Sequence, residues 1–178
     1  MSHDTNHVQP SKSGHPIDID LEDALKAVGF TPSEIDDGAP DGVVIFKYTR
    51  AQAIEDGVLV DISSESKTRD LVKEAGYRVN VAMTASAFHD AVLAGTTITD
   101  GGEFIFPSGQ SLKGRLWDVL MVLRTLIRFM PQGDDRVHFS VQVDEKGDGN
   151  HQTVKLWAHI GPGDSGEAVL TIMLEGED

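Results

Sequence analysis

From Leu112 to Met130 apolar side chains recur at helical spacing, and Pro131 and Gly133 close the run. At roughly 100° per residue, Leu112, Leu116, Val119, Leu120, Leu123, Leu126, Ile127 and Met130 share one arc. Beyond this helix the apolar period changes to two. Val137, Phe139, Val141 and Val143 share a strand face; so do Val154, Leu156, Ala158 and Ile160, and again Ala168, Leu170, Ile172 and Leu174. Glu145–Asn150 and Gly161–Gly166 lie between these runs and are rich in Gly and Asp, which suit tight turns. The pattern predicts an antiparallel meander with one apolar face, and a long helix to cover it.

Shorter elements precede the helix. Thr49-x-x-Gln52 has capping-box spacing ahead of a short helix that Gly57 stops. Val58–Ile62 reads as a strand, and Lys67–Ala75 as a second helix closed by Gly76. Val79, Val81 and Met83 alternate with Asn80 and Ala82 as a half-buried strand, after which Thr84 caps a third helix running through Leu93 to Gly95. Thr96–Ser111, broken by Gly and Pro107, is a loop with room for a short strand at Phe104–Phe106. The expected fold for residues 43–178 is therefore one α+β domain, with helices packed on an antiparallel sheet that ends in a three-stranded meander. Residues 1–42 read as an acidic, mostly flexible arm, with Leu21, Leu25 and Val28 marking a short amphipathic helix at 20–28.

Composition narrows the classes of function. The absence of cysteine excludes disulfides, thiolate metal sites and cysteine nucleophiles. Met1–Pro16 lacks the apolar core of a signal peptide, so a cytoplasmic location is expected. The net charge of −14 sits mainly at the two ends: residues 1–41 hold 9 acids and 2 bases, residues 42–133 hold ten of each, and residues 134–178 hold 10 acids and 3 bases. Such a chain should repel nucleic acid and anionic membranes, whose capture needs Lys and Arg. The partners left are small molecules, a protein with a basic surface (nucleic-acid mimicry among the uses), or a second copy. Solubility alone would also account for the charge.

On the helix side opposite the apolar arc, Trp117, Met121, Arg124 and Arg128 form a stripe at i, i+4, i+7 and i+11. Either the N-terminal helices or the Thr96–Ser111 loop covers it, or it is an interaction surface for a partner or a homodimer. Arg124 and Arg128 also complement the negative end of the helix.

Chemical motifs are weak. Gly163-Asp164-Ser165-Gly166 spells the tetrapeptide around a trypsin-like nucleophile, but it lies in a turn and lacks the earlier His and Asp loops of that machinery. Asp144-x-Lys146-x-Asp148-Gly149 is a poor calcium loop, with Lys146 at an acidic position and Lys155 where the closing Glu belongs. Gly161-x-Gly163 leads into a strand, so no helix N-terminus is offered to a phosphate. His3, His7 and His15 fall in the arm. His138 and His159 fall on the outward face of the meander with Trp157, Lys155 and Gln142, where they could serve zinc or work with Asp164. No catalytic, cofactor or metal site is assigned. The leading expectation is a non-enzymatic acidic binding protein. A small hydrolase or nucleotide-handling enzyme using His159 with Asp164, and Asp118 as a further candidate, is the first alternative, and a structural homodimer across the long helix the second.

Tyr48-Thr49-Arg50-Ala51-Gln52-Ala53-Ile54-Glu55-Asp56-Gly57-Val58-Leu59-Val60-Asp61, Gly114-Arg115-Leu116-Trp117-Asp118-Val119-Leu120 and Gly161-Pro162-Gly163-Asp164-Ser165-Gly166-Glu167 resemble an uncharacterised family of bacterial, plasmid and phage proteins. Lys73-Glu74-Ala75-Gly76, Met83-Thr84 and Leu170-Thr171-Ile172-Met173-Leu174 extend the resemblance over residues 43–175. It brings no activity or catalytic residue. It implies an accessory role on mobile elements, such as interference with host defence.

Overall fold

A computed structural model describes residues 48–107, 109–129 and 136–177. The expected arm, its helix at 20–28 and the chain from Met130 to Asp135 lie outside the described residues.

Thr49 opens α1 (Arg50–Glu55) with the capping box that its spacing predicts: its hydroxyl accepts from the Gln52 N–H, and the Gln52 side chain accepts from the Thr49 N–H. β1 (Leu59–Asp61), α2 (Arg69–Glu74) and β2 (Asn80–Thr84) follow. Thr84 caps α3 (Ala85–Phe88), which continues into a π-helical turn at His89–Leu93 rather than as one α-helix. β3 (Thr97–Ile98) and β4 (Phe104–Ile105) form a small separate ribbon, so the expected short strand has a partner that the loop reading missed. Next come α4 (Leu112–Ile127), β5 (Arg136–Val143), β6 (Gln152–Pro162) and β7 (Ala168–Leu174).

The main sheet has the order β1-β2-β7-β6-β5. β5, β6 and β7 are the expected antiparallel meander, and Leu156 pairs with Leu174 and Val137 with Ala158 as their apolar parity requires. β2 adds to β7 as a parallel neighbour and β1 closes the far edge antiparallel, which makes an α+β fold on a mixed sheet. α4 starts beside the β5–β6 hairpin, through contacts described below, and its chain returns as β5, so helix and strand run antiparallel. Leu116, Val119, Leu120 and Leu123 are buried with Val137, Phe139, Val141, Leu156 and Ala158 in one core.

Several expectations about burial need correction. Ala82 was expected on a half-exposed face, yet it is fully buried; β2 is an interior strand, between β1 and β7. Leu126 was placed on the inward arc but is 38% exposed, and Ile160, placed inward on β6, is 44% exposed. Both lie at the end of the sheet where α4 runs out, so periodicity alone overestimates their cover.

Candidate functional site

Arg115 is the most connected polar residue of the helix. Its place in the first turn of α4 aims it at the ends of three neighbouring segments, and it is only 6% exposed. Nε donates to the Gln110 side-chain oxygen at 2.7 Å, Nη1 to the carbonyls of Val92 (3.1 Å) and Ala94, and Nη2 to the Asp144 carbonyl at 3.0 Å. The guanidinium also lies 5.6 Å from the Phe106 ring centre. Burial lowers its pKa, while the charges of Asp144 and Glu145 act in the opposite direction. One side chain thereby ties the π turn, Gln110 and the β5–β6 hairpin to α4. Gly95 tightens the same junction: its φ is +69°, and a Cβ there would lie 1.8 Å from the Glu145 carbonyl oxygen. Periodicity could not have singled out Arg115, since it sits just off the apolar arc.

Several carboxylates are turned inward onto the chain's own donors. Asp144 accepts from the backbone N–H groups of Lys146, Gly147, Asp148 and Gly149 at 2.7–3.3 Å, and these bonds, that from Gly149 first, hold its pKa below the ordinary value. The first position of the poor calcium-loop match is thus filled by backbone N–H donors, which suit an anion and repel a cation, in keeping with the rejection of that reading. Asp61 accepts from the N–H groups of Ser63 and Ser64 and from the Ser64 hydroxyl, and lies 3.2 Å from Arg50 Nη2. Asp164, in the β6–β7 turn, accepts from the N–H groups of Arg50 and Ala51 at 2.9 and 2.8 Å and so anchors the start of α1. Glu177 accepts from the Thr84 hydroxyl and the Leu174 N–H.

The outward face of β5 and β6 carries Arg136, His138, Trp157 and His159. Trp157 was expected on the outward face of the meander but is only 8% exposed. His138 stacks on it at 6.2 Å, the Arg136 guanidinium lies 5.0 Å from its ring centre, and its Nε1–H donates to the Glu177 carbonyl at 3.1 Å. Arg136 pairs with His159 in register and His138 with Trp157, so Arg136 and Trp157 close one diagonal and leave the imidazoles on the other. Among the described residues no group of three His, Asp or Glu could hold a metal ion. Asp118 is exposed on α4, on the sheet face opposite His159, so it does not join His159 and Asp164.

The helix stripe is placed as follows. Trp117 and Met121 are half-buried against the core, the Arg124 guanidinium lies over Gly76, and Arg128 is exposed. Tyr77 packs beside them and donates its hydroxyl to the Leu120 carbonyl at 2.8 Å, with burial pushing its pKa up. The inner part of the stripe therefore meets the segment after α2.

An open groove of about 410 Å³ lies where the π turn, the start of β6 and the end of β7 meet. Asp90, Glu145 and Glu175 line it together with Lys155, Gln152, Thr153, Val154 and Leu174. Here the carboxylates engage side chains at the surface: Asp90 with His89 at 2.9 Å, Glu145 with Gln152 at 3.0 Å, and Glu175 with Lys155 at 3.0 Å. Such contacts exchange readily with water or with a partner's cation. The groove residues carry no sequence motif; the fold brings them together from three separate segments.

No helix among the described residues is long and apolar enough to cross a membrane. A family model described as a family of unknown function (DUF6573) matches residues 39–178. No curated protein matches the chain, and no solved structure does.

Proposed function

For this chain, which belongs to the family of unknown function DUF6573, we propose a binding role: its acidic groove receives cationic side chains from a basic surface of another protein. The observation that carries this reading is the groove itself, with three carboxylates to one Lys155 around an open volume of about 410 Å³. Guanidinium groups suit it, because they pair with carboxylates in fixed two-point geometry and shed water at modest cost. The capping of Asp61, Asp144 and Asp164 by backbone donors supports a scaffold whose remaining acids serve recognition. A factor that covers a basic host surface on behalf of a mobile element would use the groove in this way.

Titration of a short arginine-rich peptide into the full-length protein by calorimetry tests the proposal. Saturable binding that weakens as ionic strength rises toward 0.15 M, where the screening length is about 8 Å, is the expected result. Binding insensitive to salt, or no binding at low salt, would refute it.

A further inference from the structure

Three large apolar side chains stand open at one end of the molecule: Phe129 is 81% exposed, Ile160 44% and Leu126 38%. The topology places them together. α4 runs antiparallel to β5, so its last turn lies beside Arg136; Arg136 pairs with His159, and Ile160 is the next residue on the face that α4 covers. Arg128 belongs to the same turn and is exposed. An open apolar end is costly to leave in water and calls for an occupant.

We propose that the occupant is residues 20–28 of this same chain. Leu21, Leu25 and Val28 recur at i, i+4 and i+7, which gives an apolar stripe that matches the patch. Asp20, Glu22 and Asp23 accompany that stripe and complement the exposed Arg128. The chain also arrives at the right end. Arg50 and Ala51 are fastened to Asp164 in the β6–β7 turn, at the same end of the sheet as Ile160. Residues 29–47 can span up to about 60 Å when extended, well beyond the roughly 24 Å length of α4. Docking would cover the apolar end and set acids near Arg128 in one step. This inference does not depend on the groove.

The test is a double-mutant cycle in the full chain, read by thermal unfolding and by amide exchange of residues 124–129. Leu21→Ser with Leu25→Ser forms one arm and Phe129→Ser the other. Docking predicts that each arm lowers the melting temperature and accelerates exchange in the last turn of α4 by roughly ten-fold, and that combining them adds little. Additive effects, or unchanged exchange in the Leu21→Ser/Leu25→Ser protein, would overturn it. So would a parent that sediments as a dimer which Phe129→Ser, but not Leu21→Ser/Leu25→Ser, dissociates, since a second copy would then hold the patch.

Discussion

Asp144 and Glu145 are neighbours in one hairpin and have opposite fates. The Asp144 carboxylate is wrapped by four backbone N–H groups of its own turn, whereas Glu145 reaches into the groove and touches only the exposed Gln152 among its side-chain hydrogen-bond partners. The first charge is consumed in holding the fold; the second is available. Net charge therefore misstates what this protein can offer a partner. What matters is which carboxylates remain after the backbone has taken its share, and the junction around Arg115 decides this by fixing the hairpin against the π turn.

The comparison breaks most severely if that junction is removed. Arg115→Leu strands the buried carbonyls of Val92, Ala94 and Asp144, and a loss of about 3–5 kcal/mol is expected in denaturant unfolding. A loss under about 1 kcal/mol would mean that Arg115 is dispensable. Gly95→Ala should cost at least about 2 kcal/mol, since the new methyl meets the Glu145 backbone and φ is positive.

Asp144 sharpens the comparison through pH. Its folded pKa lies below its unfolded value, so its contribution is fully present above the unfolded value, about 3.9, and is lost as pH falls through the folded pKa. The stability gap between the parent and Asp144→Asn should be constant above about pH 5 and shrink in stronger acid. A gap that widened in acid would contradict this. The groove acids should behave oppositely in folding: Asp90→Asn, Glu145→Gln and Glu175→Gln should each change stability by less than about 0.5 kcal/mol.

Much of the fold was legible because its signals are local. The Thr49 capping box, the α4 arc and the alternation in β5, β6 and β7 each depend on neighbours along the chain. The parallel pairing of β2 with β7 joins Val81 to Leu170 across most of the domain, and nothing in either segment announces it. Burial at the margins was also hidden: Leu126 and Trp157 obey their periods, yet their exposure is set by where α4 ends and by Arg136, His138 and Glu177. The groove was illegible for the same reason. Asp90, Glu145 and Glu175 belong to three segments with no common spacing, whereas Asp144, Asp148 and Asp164 stood out through turn motifs that proved to be backbone caps.

The claim that available charge, not total charge, governs recognition is tested most directly by one calorimetric comparison. The arginine-rich peptide is titrated into Asp90→Asn/Glu145→Gln/Glu175→Gln and into a protein carrying three neutralised exposed acids elsewhere, Asp70→Asn/Glu74→Gln/Asp118→Asn, which has the same net charge. Affinity should fall at least about ten-fold for the groove variant and remain within about two-fold of the parent for the other, a difference near 1 kcal/mol. Equal weakening of the two would show that the peptide responds to overall charge and that the groove has no special part.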